Sequence, residues 1–346
     1  MPSNPTMTLV SPTPLKFLMP GWFSLVMGVS GLALAWQAAA PALGELATGG
    51  ALVLAGLACG MFVVLAVASL LRWQRYPQAL ADDLRHPVRH TFVATVPVSM
   101  LLLAACGVSF GLDGAAVRTV WWMGSGLQLW ATLWVVGRWL DPQTGPQAAP
   151  GGLWPGVTPV LFVPVVGNVV AALAGVSLGH GAWSATQFGI GALFWPVVLT
   201  LVLVRRLAHS PLPDRLLPTW TIAVTPPSVI GLGLLQFGAP VWVAQASWGV
   251  ALFTLMWVGA QGKRMVSQPF ALTFWALSFP LAAFTALTLR LGTQQSLAPM
   301  QTAGMLMLAI TSLVVVGLVL ATVRGLRQGT VLAPEPVATI VPANTP

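Results

Sequence analysis

The chain reads as an all-α integral membrane protein of ten transmembrane helices, on three observations. Of its 346 residues, 56% are hydrophobic and only 6% are charged, whereas a soluble domain carries roughly 25% charged residues. So few charges cannot clothe a surface in water, and the solvent they imply is lipid. Apolar runs of about 20 residues, long enough to cross a bilayer as helix, recur along the chain. The segments joining them alternate between basic and nearly uncharged.

The runs fall in order at 18–38, 47–71, 90–111, 115–139, 155–178, 183–204, 217–236, 240–261, 270–290 and 300–323. Span 1 opens on Pro20 and carries Gly21, Gly28 and Gly31. Span 2 has no proline and leads into Arg72, Arg75, Arg85 and Arg89. Span 3 holds Pro97, and span 4 ends at Arg138. Span 5 holds Pro164. Span 6, the one even span with an internal proline (Pro196), runs into Arg205, Arg206 and Arg215. Span 7 holds Pro226 and Pro227, and span 8 is followed by Lys263 and Arg264. Span 9 holds Pro280, and span 10 ends at Arg324 and Arg327.

The basic residues set the topology. Lys16, the connections after spans 2, 4, 6 and 8, and the C-terminal Arg324 and Arg327 account for all but Arg118 and Arg290. Lys and Arg stay cytoplasmic in multispanning proteins, so both termini are expected in the cytosol, at a cell membrane. Residues 1–17 form a cytosolic lead-in without the features of a signal peptide, 18–326 the membrane domain, and 327–346 a proline-rich disordered tail. The net charge of +8 does not indicate nucleic acid, because the basic residues form no patch among aromatics. Cys59 and Cys106 lie in apolar runs and read as packed thiols.

Proline marks the odd spans. It removes a backbone hydrogen bond, and in lipid the freed carbonyl must be covered by protein or water. The odd helices are therefore expected inside and the even ones against lipid. One proline-broken helix plus one plain helix makes a two-helix repeat, and five copies close into a ring about an axis along the membrane normal. An inverted-repeat carrier needs an odd number of helices per repeat.

All seven acidic residues lie outside the spans. A proton-coupled carrier normally keeps a buried ionisable relay, so a passive path is favoured, and one without fixed negative charge suits anions. Pore-lining candidates on the odd spans are Gly28, Pro97, Ser99, Pro164, Asn168, Thr225, Pro226, Ser228, Ser278 and Pro280. Phe279 stands beside the break of span 9 as a ring that could plug the pore. His86 and His90, four residues apart, lack the further ligands a metal site needs, and Pro87 between them suits a helix start. No phosphate loop, nucleophile elbow or Cys-x-x-Cys is present. No enzyme activity and no cofactor or metal is expected.

Four stretches carry a family resemblance: Gly21-Trp22-Phe23-Ser24-Leu25-Val26-Met27-Gly28, His86-Pro87-Val88-Arg89, Val166-Gly167-Asn168 and Trp275-Ala276-Leu277-Ser278-Phe279-Pro280. They resemble the tellurite-resistance and dicarboxylate transporter family, which includes bacterial TehA and the plant slow anion channels. The resemblance implies five helical hairpins around a central pore, often a homotrimer with one pore per subunit, and Phe279 as the gate. It puts Arg290, at the outer mouth, near a basic residue of the plant channels. The family's phenylalanine-glycine pair reads Phe23-Ser24 here. Expected substrates are chloride, nitrate, C4-dicarboxylates or oxyanions. The alternative is a coupled carrier exporting dicarboxylate, sulfite or a tellurite-like oxyanion.

Overall fold

The computed structural model describes residues 14–141, 152–209 and 211–333. Most of the lead-in and the tail beyond 333 lie outside them. Every regular element among the described residues is helical. The long rods are α1 (Pro20–Ala38), α2 (Glu45–Arg75), α3 (Arg89–Ser109), α4 (Ala115–Leu140), α5 (Pro159–Gly175), α6 (Gly181–Ala208), α7 (214–236), α8 (Val241–Gly259), α9 (Leu272–Gln294) and α10 (Ala298–Arg327). A short helix, Pro77–Arg85, joins α2 to α3.

Seven rods are long and apolar enough to cross a membrane: α1, α2, α3, α6, α8, α9 and α10. The other three expected spans differ for visible reasons. Tryptophans with Ser125 and Gln128 lower the mean hydropathy of α4, α5 is short, and prolines and threonines do the same in α7.

Burial divides the rods. In the most apolar stretch of α1, α3 and α9, 72%, 67% and 72% of residues are buried, against 11%, 22%, 17% and 28% in α2, α6, α8 and α10. Uniformly apolar rods with so little cover carry their exposed leucine, valine and tryptophan into lipid. The inner rods touch in a closed cycle: α1 on α3, α3 on α5, α5 on α7, α7 on α9, and α9 back on α1. Each also packs on the rod that follows it.

The prolines act differently from a simple kink. Each odd rod begins as a 3₁₀-helix and switches to α-helix: at Ser24 in α1, Thr95 in α3, Phe162 in α5, Thr225 in α7 and Ser278 in α9. Pro97, Pro164, Pro227 and Pro280 are each the third residue of the new α-helix. A first-turn N–H has no intrahelical partner in any case, so proline there costs no bond and starts the helix. The even rods are continuous α-helix.

The switches free carbonyls, and neighbouring side chains take them up. Thr95 Oγ1 donates to Pro20 O at 2.7 Å and Ser99 Oγ to Phe23 O at 3.1 Å, both on α1. Gln128 Nε2 on α4 donates to Val163 O and Pro164 O of α5, at 3.1 and 2.9 Å. Ser247 Oγ donates to Pro227 O, and Thr221 Oγ1 to Ala276 O, both at 2.8 Å. Backbone at membrane depth requires such partners.

Candidate functional site

The N-terminal halves of all five inner rods surround one cavity of about 160 Å³. Their amino ends therefore point the same way, and the positive ends of five helix dipoles gather around it. A 3₁₀-helix repeats every three residues and stacks side chains at i and i+3, and the lining follows that period. Gly21, Ser24 and Met27 face the cavity from α1, Arg89, Phe92, Thr95 and Val98 from α3, and Leu216, Thr219, Ile222 and Thr225 from α7.

The charged lining is basic: Arg89 and Arg215, with His86 beside them. Arg89 is held by Asp83, Oδ1 to NH1 at 3.0 Å, while Asp83 Oδ2 receives Arg72 at 2.7 Å. Asp83 and Arg72 are both buried, and Arg72 also donates to Lys16 O and Ala79 O. This network fixes the short helix Pro77–Arg85 across α2 and α3. Burial, then the neighbouring Arg89 charge, pushes the His86 imidazole down to about 4. The neutral ring caps the opening of α3: Nδ1 accepts the Val88 and Arg89 N–H groups, each at 3.1 Å.

Phe279, 6% exposed, forms part of the cavity wall. Its ring lies against Gly31 of α1, where an added Cβ would come within 2.7 Å of Cδ2. The carboxyl halves of the same five rods enclose a second cavity of about 50 Å³, reached by Leu34, Ser109, Leu173, Gln236 and Arg290. Along α9, Phe279 and Pro280 line the first cavity, and Ala286 and Arg290, nearer the carboxyl end, line the second.

Of the sequence candidates, Phe279, Thr225, Pro226 and Pro280 line the first cavity, and Arg290 the second. The others do not line either one. Gly28 packs on Ser278, whose Oγ an added Cβ would meet at 2.1 Å. Ser99 and Ser228 donate to helix carbonyls. Pro97 and Pro164 are buried at their helix starts. Asn168 turns to the outer rods, donating to Thr132 Oγ1 at 2.7 Å, and Gln187 Nε2 reaches its Oδ1 at 3.4 Å. Ser125 and Trp183 complete this buried network. Residues missed from sequence are Arg89 and Arg215, which read there only as basic connections; Ser24 and Thr95, polar residues of odd spans, also line the first cavity. Among the described residues no three His, Cys, Asp or Glu gather as metal ligands, and neither cavity is lined by a carboxylate.

The profile of the SLAC1 family, described as voltage-dependent anion channel, matches residues 18–323. The chain belongs to that family. Similar proteins include an uncharacterized transporter of Methanocaldococcus jannaschii, 28% identical over 79% of this chain and 83% of its own length. A TehA homolog, a tellurite resistance protein of Haemophilus influenzae, is 24% identical over 80% of this chain and 81% of its own. The S-type anion channel SLAH2 of Arabidopsis thaliana is 22% identical over 66% of this chain and 43% of its own. Members of the voltage-dependent anion channel family are membrane transporters and channels, which makes this chain a multi-pass membrane protein whose business is with anions.

Proposed function

We propose that the protein is a passive channel or uniporter for small anions, gated by Phe279. In this reading ten spans form five hairpins, the inner rods enclose the pore, the outer rods meet lipid, both termini are cytosolic, and three subunits each carry one pore. The reading is supported by the two cavities that the amino and carboxyl halves of the five inner rods line, with Phe279 in the wall of the first. A narrow apolar constriction stops ions by shedding water. The basic residues and gathered helix amino ends at the first cavity, and Arg290 at the far, outer one, favour anions over cations on electrostatic grounds.

The reading needs no energy source. An anion leaving a cell held inside-negative gains about 2.3 kcal/mol per 100 mV. The test is Phe279→Ala in planar bilayers at matched protein level. The expected result is unitary anion current where the wild type is nearly silent, and equal currents would sink the gate. Saturating flux at fixed stoichiometry, without unitary events, would assign the protein instead as a coupled exporter of dicarboxylate, sulfite or a tellurite-like oxyanion.

A further inference from the structure

Arg290 is not placed as a surface anchor. A snorkelling arginine extends along apolar surface until its head reaches water at the interface. This one turns inward, into a cavity whose walls come from all five inner rods. It is partly buried, and it has neither an ion-pair nor a hydrogen-bond partner among the described residues. The contrast with the other buried arginines is direct. Arg72 has Asp83 and two carbonyls, and Arg205 donates to Pro155 O and Val157 O. A guanidinium withdrawn from water without a counter-charge is costly. The surrounding walls offer only Ser109 and Gln236 as polar side chains beside it, the rest being Leu34, Ala105, Val108, Leu173, Leu232 and Ala286.

We propose that Arg290, with Gln236, forms a discrete binding site for one small monovalent inorganic anion, of the size of chloride or nitrate, in the second cavity. The inference deepens the channel reading and rests on it for the ion's origin, since the same cavity continues the path beyond Phe279. Size sets the class. The second cavity measures about 50 Å³ against about 160 Å³ for the first, so it suits a small inorganic anion better than a four-carbon dicarboxylate. Charge agrees, because a single guanidinium balances a single negative charge. Arginine's planar fork of donors also suits a trigonal oxyanion such as nitrate.

The distance from Phe279 separates this site from the first cavity. Eleven residues of α-helix at about 1.5 Å each put Arg290 about 16 Å farther along α9.

The test reads binding and needs no transport. Purified full-length protein in chloride-free gluconate buffer is heated with increasing sodium chloride, sodium nitrate or sodium malate. Wild type should gain thermal stability with chloride and nitrate. Arg290→Gln should lose most of that gain while keeping the wild-type response to malate, which the first cavity alone can admit, and Arg290→Lys should keep part of it. An unchanged chloride response in Arg290→Gln overturns the site. If that variant does not accumulate, bromide in crystals of the wild type decides: an anomalous peak beside the Arg290 guanidinium supports the site, and its absence there overturns it. Bromide bound at Arg290 in a protein that passes no anion would leave the site standing and remove the channel.

Discussion

Gly31 offers a way to move the Phe279 ring without deleting it. A Cβ at Gly31 would lie 2.7 Å from ring Cδ2 and 3.2 Å from the Cβ of Ala282 one turn farther along α9. Comfortable carbon–carbon contact is about 3.5–4.0 Å, so Gly31→Ala asks the ring to move by about 1 Å. The Ala282 contact is the milder one and needs only a few tenths of an ångström. Overpacking of this kind costs about 1–3 kcal/mol, and turning the ring off its rotamer costs about 0.5–1.5 kcal/mol. The two are of similar size, so the ring should yield. If about 1.4 kcal/mol of the closed state's advantage is lost, its ratio to the open state falls about tenfold. Anion current from Gly31→Ala should rise by up to that factor, measured as efflux from chloride-loaded vesicles at matched protein level. The control is a double-mutant cycle. With Phe279→Ala already in place there is no ring to displace, and Gly31→Ala should change nothing further. Equal proportional effects in the two backgrounds would mean that Gly31 acts through helix packing alone and that the ring is not the barrier.

Three further outcomes follow from the geometry. Under a potassium chloride gradient, the reversal potential of Phe279→Ala should sit near that of chloride, because neither cavity is lined by a carboxylate; a value tracking potassium refutes the selectivity argument. Asp83→Asn leaves Arg72 and Arg89 without their shared counter-charge, a loss of about 3–5 kcal/mol for a buried pair, and should lower the thermal midpoint far more than Asp82→Asn on the same short helix. His86 binds its proton only near pH 4 in the fold but near 6.5 when unfolded. The unfolded chain therefore takes up the extra proton between those values, so stability should decline as pH falls from about 6.5 to 4 and then level. His86→Asn, which can still cap α3, should flatten that slope in thermal melts taken across the range.

Much of the framework was legible because lipid forces simple patterns. Apolar runs, basic connections and odd-rod prolines all report how the chain meets a bilayer, and the burial of α1, α3 and α9 follows that division. The lining was harder. Small or polar residues near a break, such as Gly28, Ser99, Ser228 and Ser278, suggest a pore. Yet a break creates hungry carbonyls, and the hydroxyls of Ser99 and Ser228 are spent on carbonyls. Asn168 was drawn away by Gln187 and Thr132, polar residues on outer rods that composition had assigned to lipid. Arg89 and Arg215 read as topology signals, and they also line the cavity. Nothing in the sequence separates an interface arginine from Arg290, because the difference lies in which way the side chain turns.

The two helical geometries within each inner rod amount to a change of gear. In the 3₁₀ part a residue turns the chain about 120° and advances it about 2.0 Å; in the α part the figures are about 100° and 1.5 Å. Moving the boundary by a single residue would thus swing everything beyond it by about 20° while shortening the rod by about 0.5 Å. The coupling also leaves a signature that chemistry can read. Cysteines placed singly along 214–236 should react with a small water-borne thiol reagent at every third position through Leu216, Thr219 and Ile222. Past Thr225 the reactive face should drift around the rod. A uniform 3.6-residue rhythm throughout would mean that α7 is one ordinary helix and carries no such gear.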